Sequence, residues 1–440
     1  MKESTKLQWI FLVLGFGAYL SYYCIIAQTN YWRKFYSNTI LTIFSMIYEV
    51  SQMIGCLIAI PLDKKFQPKI FPLMHFTVNI CALIVLVPLK YLKNYNLKCV
   101  LTAIPISTCA ITASMFYPCM ISCASRVNPL LSSTLQVGVG LSCIIIQAVE
   151  DLISIYFSHY DTEEQYEHLL VLNAISYYVT GCVILALCFV MWFVFAKQFP
   201  NATRKAPPQQ KKVLIENESQ SEVNTTNTSV TNTSADLLVG DINPNSVIHP
   251  VIENKKSIAR RIMPLGIALL FSYATSTLIF PLFALNIPSH IGAYKYNQPY
   301  SDWWSLIYLT IIQLSDFSGR MLPLSKKFVD KISVRTVISI CYLKVVFLVL
   351  FPLMSLPKAV VLNDFVQKMP FISSDTLSII CAIVHTSTTA FTISLGYIKY
   401  QELLDTDEER DKGSFILNIF LQCGLFSGSL TGVCLISIFE

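Results

Sequence analysis

The sequence predicts an all-α polytopic membrane protein, and three observations carry that reading. The 440 residues are 54% hydrophobic and only 13% charged, with a mean hydropathy of +0.55. A soluble chain of this length does not carry so little charge. Apolar windows of about 20 residues, the length at which a helix crosses the hydrocarbon of a bilayer, recur eleven times. One long hydrophilic break separates the first six windows from the last five, which gives a 6+5 arrangement.

Taken in order, the windows fall at 7–29, 39–60, 70–89, 97–122, 131–157 and 169–196, then at 258–285, 303–324, 334–354, 376–398 and 414–439. Only Arg126, Asn128 and Pro129 separate the fourth from the fifth. The polar lead Met1 to Lys6 precedes a run too long for a cleavable signal, so the first window is expected to remain as a span. Pro61, Pro105, Pro118, Pro281 and Pro352 lie at or within windows, where each removes a backbone hydrogen bond and allows a kink. In the last window Gly424, Gly428 and Gly432 recur every four residues, a pattern that predicts close helix packing.

Lysine and arginine in the connections set the orientation. With the N-terminus inside, inner segments hold 22 of the 32 and outer segments hold 8, while Arg320 and Lys344 fall within spans. The N-terminus is therefore expected in the cytoplasm and the C-terminus outside, with the plasma membrane as the location. Residues 199–257 lack apolar periodicity and contain the tract NTTNTSVTNTS, so they read as a disordered cytoplasmic linker between bundles at 1–198 and 258–440. The acceptor-like triplets at Asn201, Asn217, Asn224, Asn227 and Asn232 then read as chance in an Asn/Thr-rich tract. The acidic residues Asp161, Glu163, Glu164 and Glu167 fall outside.

Composition also excludes function classes. The net charge of +5 is spread over the connections rather than gathered in a patch, which argues against nucleic acid as a partner. The fourteen cysteines lie mostly inside apolar runs, as Cys24, Cys56 and Cys109 do, without metal-ligand spacing. No metal or cofactor is expected. No span carries paired aspartates, a Ser–His pair or a metal-ligand set, so an enzyme is not expected either.

The eighth window, WWSLIYLTIIQLSDFSGRMLPL at 303–324, carries Asp316 and Arg320. An isolated charge at the bilayer centre costs about 2.5–3.5 kcal/mol on insertion scales, so the two need each other, another partner or a wet cavity. At spacing i, i+4 they share one helix face and can pair. Gln313 lies on that face, while Leu314, Phe317 and Met321 point elsewhere. Two readings stand, a structural ion pair and a ligand site in which a carboxylate accepts from hydroxyl or N–H groups and a guanidinium fork donates.

Other spans carry isolated polar residues. Glu49 sits midway along the second, with Ser45 and Gln52 on its face, as a possible proton site or a hydrogen-bonded contact between helices. Gln136 opens the fifth span, with Gly138 and Gly140 as close-packing positions. Glu150 and Asp151 lie nearer the outer end and are expected to face water. A lone His385 in the tenth span reads as a satisfied core residue.

The segment QLSDFSGRMLP resembles the eighth-helix signature of the equilibrative nucleoside transporter family, a polar residue followed by Asp, Gly and Arg. GFGAYLSYYCIIAQTNYW is similar to that family's first helix, with Gly15, Gly17, Leu20, Tyr31 and Trp32 in register. Ser21, Tyr22 and Tyr23 depart from its Pro-Trp-Asn. IFPLF around Pro281, SLGYIKY through Tyr400 and KGSFILNIFLQCGLFSGSL from Lys412 extend the resemblance over the membrane domain. Gln313 stands where the family usually has Asn, Leu395 stands where Asn precedes Gly-Tyr, and Lys344 lies near the family's ninth-helix Arg.

The resemblance implies a major-facilitator-like fold in which two bundles rock about a central site, moving nucleosides or purine nucleobases down their gradient by alternating access. It implies that Asp316 and Arg320 bind the ribose or a polar edge of the base, and that Tyr19 and Tyr22 line the cavity, and with such a ligand Gln136 reads as a possible base contact. A purine's flat faces and polar edge call for aromatic walls with a few convergent hydrogen-bonding groups. The small-molecule substrate and the lipid bilayer are the expected partners. The alternatives are another major-facilitator solute carrier, for sugars or drugs, and a non-transporting receptor or scaffold of the same fold.

Overall fold

The computed structural model describes residues 3–37, 40–65, 69–128, 130–156, 162–200, 257–280, 284, 287, 300–359, 372 and 374–439. Among them there is no strand. The expected linker, its five Asn triplets, Pro281 and Asp161 lie outside the described residues, apart from the linker's first two residues and its last.

The first half comprises α1 (Glu3–Ala18), α2 (Leu20–Ala27), α3 (Thr29–Phe35), α4 (Ile40–Lys65), α5 (Ile70–Leu86), α6 (Tyr95–Val127), α7 (Leu130–Tyr156) and α8 (Glu163–Gln198). After the break come α9 (Ile258–Ile279), α10 (Tyr300–Met321), α11 (Val334–Leu343), α12 (Phe347–Ala359), α13 (Asp375–Lys399) and α14 (Asp407–Phe439). Several starts are capped by the residue that precedes them. Asn94 accepts from the amide of Leu97, Thr162 from Gln165, Ser333 from Thr336 and Ser374 from Leu377. Each such cap satisfies an amide that the helix leaves without an intrahelical acceptor, and is worth about 1 kcal/mol.

Eight helices, counted among the described residues, are long and apolar enough to cross a membrane, and the bent pair α1–α2 makes a ninth if it is one span. The surface agrees. On α8 the side chains of Val179, Val183, Leu187, Val190 and Phe193 form an exposed stripe at helical spacing, each more than half exposed. A continuous apolar stripe of this kind needs lipid rather than water against it. The opposite face of α8 buries Tyr177, Trp192 and Phe195 in the core.

Two expected spans depart from a regular α-helix, one by a bend and one by a change of pitch. The first bends by 44° between α1 and α2, where Tyr19 takes the non-helical angles φ −126°, ψ 14°. The ninth changes to a 3₁₀ turn at Lys344–Val346, between α11 and α12. Lipid does not satisfy freed backbone groups, so broken helices are tolerated where they pack on protein or line a cavity. Pro118 illustrates the same demand inside α6. It removes the amide that would have bonded to the carbonyl of Ser114, and the thiol of Cys56 lies 3.9 Å from that oxygen.

α1 packs on α7, α4 on α6, α10 on α13 and α9 on α14. In this last pair, Gly424 and Gly428 lie against Leu270 and Ala274 of α9 with no room for a Cβ. Helices from the two sides of the break also meet, for α10 packs on α7 and α14 packs on α4 and α6. At the end of α6, Arg126 donates to both carboxylate oxygens of Asp411 at the start of α14, and Ser122 donates to the same group. Toward the other end of α7, Asp151 accepts from Thr310 of α10 at 2.7 Å.

Glu150 departs from the expectation that it faces water. It is 2% exposed and accepts from Gln28, just beyond the end of α2, and from Asn173 of α8. The broken first span and the long α8 bring amide donors to this carboxylate that sequence spacing does not reveal. Glu163 and Glu167 lie beside Lys34 at 2.5 and 3.2 Å. Hydrogen bonding from that ammonium holds the Glu163 carboxyl below its ordinary range, although an exposed pair adds little stability.

Candidate functional site

The interface between α7, α10 and α13 is built around Arg320. Its Nε donates to Asp316 Oδ2 at 2.6 Å, its Nη2 to Asp316 Oδ1 at 3.2 Å, and its Nη1 to Gln136 Oε1 at 2.6 Å. The expected pairing along one turn of α10 is therefore present, and a third group from α7 joins it. Gln136 in turn donates from Nε2 to the hydroxyl of Tyr117 on α6. The network runs from α10 through α7 to α6, so it crosses between the two halves of the sequence.

Two glycines let these helices approach closely enough. A Cβ built at Gly140 would lie 2.8 Å from Cδ of Arg320 and 3.1 Å from Cα of Phe317, so the arginine stem runs over bare backbone of α7. A Cβ at Gly319 would lie 2.2 Å from the carbonyl oxygen of Ser387, which fixes the contact between α10 and α13 one residue before Arg320. The guanidinium is held by backbone proximity as well as by charge.

Arg320 lines two lobes of an internal cavity. The smaller, of about 120 Å³, is walled by Tyr19, Tyr22, Tyr48, Tyr117, Tyr273 and Tyr397. Glu49, Gln52, Asn418 and Gln422 supply its polar groups. Tyr22 stacks on Tyr48 with ring centroids 4.2 Å apart, and the Tyr22 hydroxyl lies 3.0 Å from Ser45 Oγ. The larger lobe, of about 190 Å³, is lined by Gln313, Asp316, Ser276, Thr389 and His385. Tyr22, Tyr23, Glu49, Tyr273 and Arg320 border both.

The residues singled out from the sequence thus take different positions. Asp316, Arg320 and Gln313 line the larger lobe, while Tyr19 and Tyr22 line the smaller. Glu49 lies on the boundary and is 4% exposed. Gln136 is fully buried behind Arg320 and is not among the lining residues of either lobe. Its amide is engaged at both ends, which suits a group that orients the arginine better than one that touches a ligand.

Beneath the larger lobe Lys344 is buried at the break of the ninth span. Its Nζ lies within hydrogen-bond distance of four oxygens, the carbonyl and hydroxyl of Ser272 and Ser276 Oγ, each at 2.9 Å, and Thr389 Oγ1 at 2.5 Å, which its three N–H donors must share. Ser276 and Thr389 face the lobe, and His385 Nε2 lies 3.3 Å from Ser276 Oγ. Among the described residues no carboxylate pairs with this ammonium. The oxygens of Ser272, Ser276 and Thr389 surround this buried amine, which gives the two lobe hydroxyls a fixed partner.

Several lining residues were not legible as site residues. Tyr48, Tyr117, Tyr273 and Tyr397 come from four helices, and nothing in 22 scattered tyrosines marks which ones converge. Asn418 and Gln422 are spaced i, i+4 on the last span, a polar pair in an apolar run that could have pointed to them. Among the described residues no group of three His, Cys, Asp or Glu side chains converges on a metal position.

A family model described as "Nucleoside transporter" matches residues 103–436. Among curated proteins no relative matches the chain. Solved structures share the fold. The chain is similar to FucP, a major facilitator superfamily transporter in its outward conformation, at 12% identity and a TM-score of 0.57, over 98% of this chain and 92% of that one. It is also similar to the proton:xylose symporter XylE bound to 6-bromo-6-deoxy-D-glucose, at 14% identity and a TM-score of 0.59, over 99% and 91% of the two chains. At these identities the likeness is one of fold, the all-helical fold of the major facilitator superfamily.

Gln136→Leu removes an acceptor from Arg320 and a donor to Tyr117 without touching the lobes. Leaving buried polar groups unpaired costs about 1–3 kcal/mol each. Transport is expected to fall by an order of magnitude or more through loss of arginine orientation, with the protein still at the membrane. Uptake kinetics normalised to surface level check this, and unaltered uptake would show that Arg320 does not depend on Gln136.

Proposed function

The chain belongs to the nucleoside transporter family and is a membrane transporter of nucleosides, and from that premise we propose how it is arranged and which residues meet the substrate. Eleven spans stand in a 6+5 order, with bundles at 1–198 and 258–440 and the connection 199–257 in the cytoplasm. The N-terminus is cytoplasmic, the C-terminus is outside, and the protein works in the plasma membrane. The 22 to 8 distribution of basic residues supports this orientation. A tag inserted at 224–227 should be reached by antibody only after permeabilisation, and glycan addition at Asn224 or Asn227 would reverse the assignment.

The protein carries substrate by alternating access down its gradient and catalyses no reaction. The observation that carries the site assignment is that Arg320, held by Asp316 and by Gln136 behind it, borders both lobes, with Asp316 lining the larger. The ribose occupies the larger lobe, where Asp316 accepts from its hydroxyls and Arg320 donates to its oxygens, with Gln313 beside them. The base, of a nucleoside or as a free purine, occupies the lobe walled by Tyr19 and Tyr22. Flat aromatic faces suit a flat base, and the polar lobe suits a polyhydroxyl ring.

This reading separates from a purely structural ion pair. Loss of one partner alone leaves a buried charge uncompensated, at a cost of about 3–5 kcal/mol in either case. The double variant Asp316→Asn with Arg320→Gln removes both charges. It is expected to reach the membrane and to fail in nucleoside uptake. Normal uptake by that variant, at a matched surface level, would make the pair structural only.

A second property is proposed for Glu49, which borders both lobes and whose Oε2 has no hydrogen-bond partner among the described residues. A carboxyl so placed can take up and release a proton as the cavity changes sides. Uptake by the intact protein should then rise under an inward proton gradient, and Glu49→Gln should lose that dependence while retaining exchange. Uptake indifferent to the gradient would remove the proton role.

A further inference from the structure

The polar groups around the tyrosine lobe are unequally engaged. Asn418 is satisfied at both ends, for its Oδ1 accepts from Tyr397 and its Nδ2 lies 2.9 Å from Cys56 Sγ. Ser45, which lines the larger lobe, is taken by the hydroxyl of Tyr22. By contrast Glu49 Oε2 and Gln52 Nε2 are buried, border this lobe and have no hydrogen-bond partner among the described residues. They stand one helical turn apart on α4, so an acceptor and a donor border the lobe from one helix, together with the hydroxyl of Tyr48, which is also buried and without a hydrogen-bond partner among the described residues. Gln422 Oε1, from α14, is a further unpaired acceptor in the same lobe.

An unpaired buried polar group costs about 1–3 kcal/mol, and a ligand that pairs with it recovers that cost as affinity. The complement of a neighbouring acceptor and donor is a donor beside an acceptor on a rigid edge. A nucleobase carries such an edge, where an exocyclic amine adjoins a ring nitrogen or a ring N–H adjoins a carbonyl. Tyr48 of α4 stacks on Tyr22 of α2, and both rings line this lobe, which offers a flat aromatic wall for the ring of the base. Ribose hydroxyls lack this flat geometry, and the larger lobe already offers them Asp316, Gln313, Ser276 and Thr389.

We propose that Glu49 and Gln52 read the hydrogen-bonding edge of the base: Glu49 accepts an N–H from it, and Gln52 donates to the acceptor beside that N–H. The assignment rests on the nucleoside reading of the two lobes and adds to it the residues that determine base selectivity. A carboxyl keeps an acceptor lone pair whether ionised or protonated, so the role stands beside proton exchange at the same group.

The test is a cycle of variants against substrate analogues, by competition for adenosine uptake at one pH without a gradient and at matched surface level. Purine riboside lacks the exocyclic amine, and 2′,3′-dideoxyadenosine lacks the 2′ and 3′ hydroxyls of the ribose. In the intact protein purine riboside should compete about tenfold more weakly than adenosine, the effect of one hydrogen bond lost at an otherwise unpaired buried group. In Glu49→Met that ratio should fall toward unity because adenosine weakens, while the deficit of the dideoxy analogue persists. Glu49→Gln keeps an acceptor and the side-chain shape, so it should keep most of the discrimination. If Glu49→Met does not reach the surface, Gln52→Leu decides, since it should weaken adenosine by a similar factor and leave the dideoxy deficit unchanged. A ratio between adenosine and purine riboside that is unchanged in Glu49→Met, or adenosine affinity unchanged in Gln52→Leu, overturns the inference while the nucleoside reading stands. No competition by any nucleoside in the intact protein would overturn both.

Discussion

A guanidinium in the middle of an apolar helix bundle is the constraint on which the rest of this structure depends. Its charge is too costly to leave unpaired in such surroundings, and three helices are arranged to hold it. Asp316 takes two of its N–H groups from the same helix, and Gln136 takes another from α7. Glycines at 140 and 319 bring α7 and α13 close enough for this to happen. Because α7 and α10 come from opposite sides of the long break in the sequence, the charge that needs these partners also ties the halves together. The cavity opens where that tie runs, so any movement of one half against the other is felt at Arg320.

The second organising feature is the use of broken spans. At Tyr19 the first span bends and its tyrosines turn into the interior, where Tyr19, Tyr22 and Tyr23 all border the cavity. At Lys344 the ninth span changes pitch and an ammonium reaches four oxygens of α9 and α13. Both breaks face protein and cavity, as the energetics of unsatisfied backbone in a membrane require. Polar contacts between the halves lie toward both ends of α7, at Arg126–Asp411 and at Asp151–Thr310. A carrier that exposes its cavity to one side at a time must break such contacts at one end while keeping those at the other.

Much of the candidate site was legible before the structure. An ionisable residue inside an apolar window is rare and expensive, so Asp316, Arg320 and Glu49 stood out by cost alone. Helical spacing then added Gln313 and Gln52 to their faces. Glu150 shows the limit of that reasoning, since a position near a helix end suggested water. Two amides from other helices bury it instead. Gln136 was visible as a polar residue, yet its direction, toward Arg320 rather than into the lobes, depends on where α10 crosses α7.

By itself the sequence determined that the chain is helical and lies in a membrane, because hydropathy acts locally and an apolar run of about 20 residues has the length of a spanning helix, about twice that of a spanning strand. It also determined which residues carry charge into that environment, and that Asp316 and Arg320 share a face, since i and i+4 positions are neighbours in any α-helix. Only the tertiary structure decided which tyrosines converge, which amide supports the arginine, and which polar atoms around the cavity remain free for a ligand. Those outcomes depend on crossing points between helices distant in the sequence. A crossing point is set by the summed packing of both surfaces, down to the absence of a single Cβ at Gly140 or Gly319.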